Sequence, residues 1–277
     1  MKNVLLLTDF SENSINAMRY ALQLFKDDIC NFFVLHVEIS TSYISDDLML
    51  TAHQSIYDSL LKKTKQKLAK LITKLENEFK NDNFNYEMIV DHDILTDAIK
   101  QVITSKTIDL IVMGTNGVTG AKEVIFGSNT TNVIRKVNCP TLMIPEGFKY
   151  RNPKETLLPL DVFDTISGNA FTDILKFTKR YCKKIHVLRI KPHNRDSTEA
   201  LKDSDYINYF LKETDYEYYV VNGVPMEHVV SCYTQTHHIG LTALLVQKES
   251  LLERFFIGST TTQISNKIIV PLLIFHS

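Results

Sequence analysis

The feature that most constrains this chain is that its second half repeats its first. The segment "IGSTTTQISNKIIVPLLIF" at 257–275 echoes "FGSNTTNVIRKVNCPTLMI" at 126–144. "LLPLD" at 157–161 echoes "LLLTD" at 5–9, and "VLRI" at 187–190 echoes "VLHV" at 34–37. Three echoes in the same order indicate an internal duplication. Length agrees, since 277 residues are too many for one typical domain and comfortable for two. The offset between copies shrinks from 152 (Asp9 to Asp161) to 131 (Gly127 to Gly258), so the second copy is shorter, mostly where the first has a long helix. Gly147–Pro153 (GFKYRNP) is polar and punctuated, as a linker is. The expected domains are therefore 1–146 and 153–277.

Short β-branched and leucine-rich runs alternate with helical patterns, the signature of parallel βαβ units and an α/β fold. Val4–Leu7, Phe32–Val37, Tyr86–Val90, Ile108–Met113 and Thr141–Ile144 read as five strands of the first copy. Ser11 reads as the N-cap of a helix whose apolar face carries Ile15, Met18, Leu22 and Phe25. A long helix is expected within 45–79, with Leu61, Leu68, Leu71, Leu75 and Phe79 inward. Leu95, Ala98, Ile99 and Val102 mark a third helix, and 129–137 a short fourth. The lysines of the long helix (Lys62, Lys63, Lys65, Lys67, Lys70, Lys74) read as a solvated face, because no aromatic residues interleave them to stack on bases. Tyr216, Tyr218 and Tyr219 alternate like a strand of the second copy.

The chemistry is expected where the fourth strand runs into GTNGVTGAKEVIFGSNTT, beginning at Gly114. Gly114, Gly117 and Gly127-Ser128 stand in a Gly-x2-Gly-x9-Gly-Ser spacing. Glycines at the carboxyl end of a parallel strand let main chain approach a polyphosphate closely. A helix beginning at Gly127-Ser128 offers free N–H groups and its positive dipole end to an anion, and Ser128 and Thr130 add hydroxyls.

This spacing resembles the motif of the ATP-binding branch of the universal stress protein family. "IDLIVMGTNG" before it, "NCPTLMI" after it and the opening "LLLTDFSENS" are similar to the same family. The resemblance spans 1–146 nearly end to end and 153–277 more weakly. It implies two tandem Rossmann-like (adenine nucleotide alpha hydrolase-like) domains, each an open five-stranded parallel sheet of order 3-2-1-4-5. It also implies roles for particular residues. Asp9 would hydrogen-bond the nucleoside, with Leu7 and Thr8 beside it. Val37 would offer main-chain groups to adenine, and Met113 and Gly114 would floor the ribose-phosphate site. Gly117, Gly127, Ser128, Asn129 and Thr130 would hold the phosphates. The ligand would be ATP, ADP or AMP, with Mg²⁺ or Mn²⁺ carried in by the triphosphate. Single-domain relatives dimerise through their fifth strands. The two copies are therefore expected to pack as an intramolecular pseudo-dimer through "TLMIP" at 141–145 and "PLLIFHS" at 271–277, with a further homodimer left open.

Plainer readings stand beside these. Asp9 could be only the first helix's N-cap, the glycines only turn residues, and Val37 and Met113 only core. Lys122 reads as a solvated loop lysine. The loop lacks Gly-x4-Gly-Lys-[Ser/Thr], so P-loop catalysis is not expected; the chain reads as a stress-response sensor or regulator rather than an enzyme, with slow ATP hydrolysis left open. "TDFSENS" at 8–14 is neither of the loops carried by adenylating enzymes of the wider superfamily, which leaves that class and a scaffold with a vestigial site as alternatives. In the second copy Gln247 stands where Gly114 does and Lys248 where Gly117 does, so it should not bind ATP in the same manner. A net charge of −1 gives no general field for nucleic acid or an anionic membrane. His36, His53 and His92 show no metal spacing, and no apolar run is long enough for a signal peptide or a bilayer span. Cys30, Cys139, Cys182 and Cys232 form no C-x-x-C pair and read as buried reduced thiols of a cytoplasmic protein.

Overall fold

The computed structural model describes residues 1–38, 50–115, 128–161, 164, 166–191, 203, 206–207, 209–246 and 269–276, with side chains of the long helix from 61 onward. The first half runs β1 (Lys2–Leu7), α1 (Glu12–Leu24), β2 (Cys30–Val37), α2 (Leu50–Phe79), β3 (Phe84–Asp91), α3 (Leu95–Lys106), β4 (Leu110–Gly114), α4 (Ser128–Lys136) and β5 (Thr141–Ile144). The second half contributes β6 (Glu155–Leu160), α5 (Gly168–Tyr181), β7 (Lys184–Lys191), β8 (Asp215–Asn222), α6 (Met226–Thr236), β9 (Ile239–Val246) and β10 (Leu272–His276).

These strands form one ten-stranded sheet of order β3-β2-β1-β4-β5-β10-β9-β6-β7-β8. Each half has the order 3-2-1-4-5 with parallel neighbours. The halves meet where β5 and β10 pair antiparallel, with Leu142 opposite Leu273. The apolar patterning explains the arrangement. Strands covered by helices on both faces must be apolar on both faces. Accordingly β5 and β9 are buried at every residue, whereas β3 and β8, at the sheet ends, carry exposed polar positions. Joining β5 to β10 also removes two apolar edges that would otherwise invite aggregation.

One face of the sheet packs on α1, α2 and α5 through Met18, Leu22, Leu68, Leu75, Phe171 and Ile174. The other packs on α3, α4 and α6 through Ile99, Val102, Val133, Ile134 and Val230. Ser11 caps α1 by accepting the Ser14 N–H, as its place before the periodic run predicts. The described lysines of α2 are exposed; Lys67 lies 4.1 Å from the centroid of the Phe10 ring.

Two expectations need correction. The stretch 147–153 is more than a polar spacer. Gly147 turns with φ +71°, and Phe148 and Tyr150 then fold back onto Tyr20 of α1, with ring centroids 6.1 and 5.1 Å away. The thiols are also not uniformly buried: Cys30 and Cys139 are, Cys182 is half-buried and Cys232 is exposed. Burial pushes the Cys139 thiol up to about 12 and Cys30 to about 11.

Candidate functional site

A crevice of about 490 Å³ opens over the carboxyl ends of β1, β2 and β4, where open α/β sheets take ligands. Among the described residues it is lined by Leu7, Thr8 and Asp9 after β1, by Leu35 and Val37 of β2, and by Met113 and Gly114 of β4. Asn129 and Thr130 of α4 close one side. Eight of the eleven residues that the resemblance implies for a nucleotide thus share one cavity. Ser128 begins α4 without lining the crevice, and Gly117 and Gly127 lie outside the described residues.

The turn between β1 and α1 is built by its own side chains. Thr8 Oγ1 accepts the Phe10 N–H at 2.9 Å, and Phe10 takes the left-handed conformation at φ 65°. Asp9 Oδ1 accepts both the N–H (2.9 Å) and the hydroxyl (2.6 Å) of Ser11. Asp9 is therefore not the cap of α1; it orients Ser11, which is. Partial burial pushes the Asp9 carboxyl up, but the hydrogen bonds from Ser11 outweigh this, so it stays below the usual carboxylate range and ionised at neutral pH. His36, at the end of β2, donates from Nδ1 to the Thr8 carbonyl at 2.8 Å and packs its ring 4.5 Å from that of Phe10.

Gly114 has a reason to be glycine that the spacing motif does not reveal. A Cβ built there would lie 2.8 Å from Asn13 Nδ2 and 2.9 Å from both Asn13 Cγ and the Asn13 carbonyl oxygen. The first turn of α1 thus presses directly on the end of β4. From this position Asn13 Nδ2 donates to the Thr115 carbonyl, the last described group before residue 116. Asn13 Oδ1 is buried with no hydrogen-bond partner among the described residues and sits on a residue lining the crevice. Such an orphaned acceptor is an expensive arrangement unless something donates to it.

Sequence reasoning missed two parts of this cavity. Ser11, Asn13 and Ser14 enter it from α1, and His92, Asp93, Ile94, Leu95 and Thr96 enter it from the β3–α3 turn. In that turn Asp91 Oδ1 accepts the N–H groups of His92 and Asp93, and Asp93 Oδ2 accepts from Gln101 Nε2. The Asp-His-Asp run at 91–93, directly after a predicted strand, was the available signal.

The corresponding place in the second half is occupied differently. Arg189 answers to His36 in the "VLRI"/"VLHV" echo and is buried. Its Nε and Nη2 donate to the two oxygens of Asp203 at 2.6 and 2.8 Å, and Nη1 donates to the carbonyls of Asp161 and Asp164. Tyr218 adds its hydroxyl to Asp203 at 2.8 Å. Burial pushes the Asp164 carboxyl up to about 6, although it accepts the Asp161 N–H. Gln247, Lys248, Gly258 and Ser259 lie outside the described residues.

A doubly wound parallel sheet with a crevice at its carboxyl edge defines a Rossmann-like α/β protein. Comparison with known proteins narrows the class. The model of the Universal stress protein family matches residues 1–145, and the chain belongs to that family. It is 27% identical to universal stress protein MJ0531 of Methanocaldococcus jannaschii over 143 residues, covering 52% of this chain and 81% of that one. To universal stress protein MJ0577 of the same organism it is 28% identical, covering 52% of this chain and 94% of the relative. The crystal structure of a universal stress protein from Archaeoglobus fulgidus superposes with a TM-score of 0.70 at 15% identity, covering 99% of this chain and 98% of that one. That likeness shows the fold, including both halves. Among the described residues no helix is long and apolar enough to cross a membrane, and no cluster of three His, Cys, Asp or Glu side chains could hold a metal ion.

Proposed function

We propose that this universal stress protein binds an adenine nucleotide in the crevice of its first half and acts as a stress-response sensor or regulator. The observation that carries the reading is the convergence of the β1, β2 and β4 ends with Asn129 and Thr130 of α4 on one cavity, in a chain whose β4-to-α4 sequence carries the glycine spacing. The chemistry of the lining fits such a ligand. Asp9 is ionised and suited to accept from ribose hydroxyls, and Val37 ends β2 with main-chain groups suited to a base edge. Leu7, Thr8 and Met113 surround them with a mostly apolar wall, and Asn13 Oδ1 awaits a donor. Gly114, Gly117, Gly127, Ser128, Asn129 and Thr130 would receive the phosphates. Mg²⁺ or Mn²⁺ would enter on a triphosphate's own oxygens. The crevice residues bind and orient; the loop has no Walker A lysine for phosphoryl transfer.

Within this reading 1–146 is the nucleotide-binding domain and 153–277 a scaffold that covers the β5 edge. The buried Arg189–Asp203 pair favours a scaffold role, because it ties the β6–α5 turn to β7 where the first half leaves room for a ligand. The test is mass spectrometry of the small molecules released when the purified protein is denatured, for wild type and Gly117→Val. A branched side chain at 117 enters the expected phosphate path. An adenine nucleotide is expected from wild type and none from the variant. Equal amounts from both would remove the loop from the site.

A further inference from the structure

Where the crevice of the first half meets the β1–α1 turn, two side-chain acceptors line it. Asp9 stands before the N-cap of α1 and Asn13 in its first turn, and both face the same cavity. The turn that carries them is locked by its own hydroxyls. Ser11 Oγ accepts the Ser14 N–H at 3.2 Å, Ser14 Oγ donates to the Ser11 carbonyl at 3.0 Å, and Thr8 Oγ1 and Ser14 Oγ share a hydrogen bond at 3.1 Å. The spacing of Asp9 and Asn13 is therefore set before any ligand arrives, and no ordering cost falls on binding.

Asn13 can offer only one of its two polar ends. Nδ2 donates to the Thr115 carbonyl, and turning the amide over would set Oδ1 against that carbonyl oxygen, so Oδ1 is fixed as an acceptor. It is buried without a hydrogen-bond partner among the described residues. Asp9 is ionised at neutral pH and likewise only accepts. Neither suits a phosphate oxygen, which is itself an acceptor at that pH. The one lysine or arginine among the described lining residues, Lys136, belongs to α4 and not to this turn. The ligand group that meets Asp9 and Asn13 must donate to both.

We infer that these two residues read the sugar: Asn13 accepts from one ribose hydroxyl and Asp9 from the other, so that the crevice selects ribonucleotides over deoxyribonucleotides. This rests on the nucleotide site proposed above and assigns a specificity-determining residue, Asn13, outside the glycine motif. Two acceptors on one rigid turn match two donors on adjacent carbons, and in a nucleotide the cis-diol of ribose is that group. The adenine amino group carries both of its hydrogens on one nitrogen and is suited instead to the main-chain carbonyls at the end of β2. A buried acceptor without a donor is a cost that the ribose hydroxyl removes. A ligand lacking that hydroxyl leaves Oδ1 unpaired, which is how sites built to hydrogen-bond a hydroxyl reject analogues without one.

The test is isothermal titration of the nucleotide-free full chain with ATP, 2′-deoxy-ATP and 3′-deoxy-ATP. Each deoxy analogue is expected to bind at least about tenfold more weakly than ATP. In Asn13→Ala the discrimination against one analogue should fall to about twofold or less, while discrimination against the other, held by Asp9, persists. A purely structural role for Asn13 would weaken all three ligands together and leave both ratios unchanged. Asn13→Leu, which keeps the side-chain shape, takes its place if thermal unfolding shows that Asn13→Ala is not folded, and the wild-type comparison needs no variant. Deoxy analogues that bind wild type as tightly as ATP would overturn the sugar assignment and leave the nucleotide site standing. Both ratios unchanged in a folded variant would remove Asn13 from the assignment. Absence of ATP binding would overturn the nucleotide site itself, and this inference with it.

Discussion

Gly114→Ala separates the two reasons this position has for being glycine. The new Cβ would meet three atoms of Asn13 at 2.8–2.9 Å, and one of them, the carbonyl oxygen, belongs to the main chain of α1. A side chain could swing away, but a helix turn cannot without lifting α1 off β4. Overpacking of this kind costs about 1–3 kcal/mol. Against it stands the smaller conformational freedom of alanine in the unfolded chain, worth about 0.4–1 kcal/mol. The clash wins, and a net loss of about 1–2 kcal/mol is expected. Urea unfolding monitored by circular dichroism measures it as a lower midpoint with an unchanged slope. A double-mutant cycle locates the cause. Asn13→Ala alone loses the bond to the Thr115 carbonyl, about 1 kcal/mol, but also removes a buried acceptor without a partner. In that background Gly114→Ala should cost less than in wild type, but not nothing, because the carbonyl at position 13 remains. A neutral or stabilising Gly114→Ala, or an identical cost in both backgrounds, would refute the packing argument and leave only a ligand to explain the glycine.

Other expectations concern the second half and the junction. Asp164 titrates at about 6 in the folded chain against an ordinary 3.8, so the native state binds its proton more tightly than the unfolded state and stability falls as pH rises from about 4 to about 6. Asp164→Asn can still accept the Asp161 N–H; it should exceed wild type by up to about 3 kcal/mol at pH 7–8, with the gap closing towards pH 4, and a pH-independent difference in unfolding free energy would contradict this. Arg189→Met leaves Asp203 buried without its counter-charge, with only the Tyr218 hydroxyl still donating to it, and should cost about 3–5 kcal/mol, while Arg189→Met with Asp203→Leu should recover at least half, both read from denaturant midpoints. A fragment ending at residue 146 exposes the β5 edge that β10 covers, so light scattering should find it dimeric or aggregated; a stable monomer would count against the junction as a stabilising contact.

The sheet was legible because buried parallel strands are nearly continuous apolar runs, and "LIVMG", "TLMI" and "LLIFH" could be little else. The strand order and the β5–β10 junction came from the family resemblance, whose single-domain members pair their fifth strands; the duplication extended both to the second copy, and two apolar edges needing cover supported the junction. What escaped was carried by contacts remote in sequence. Nothing in GFKYRNP says that Phe148 and Tyr150 will return to Tyr20, because a turn-rich stretch reads as solvated until its neighbours are known. The pressure of Asn13 on Gly114 crosses from α1 to β4, and the part of the crevice formed by His92–Thr96 depends on β3 lying two strands away from β1. Arg189 was visible only as an exchange for His36 in an echo; its partner Asp203 matches no motif, and burial alone makes the pair consequential.

The central claim, a nucleotide site in the first half and none of the same kind in the second, is tested most directly by the stoichiometry of binding. Isothermal titration of ATP into nucleotide-free full-length protein, with Mg²⁺ present, should give a single class of site at one per chain. Absence of saturable heat, or two equivalent sites per chain, would contradict it.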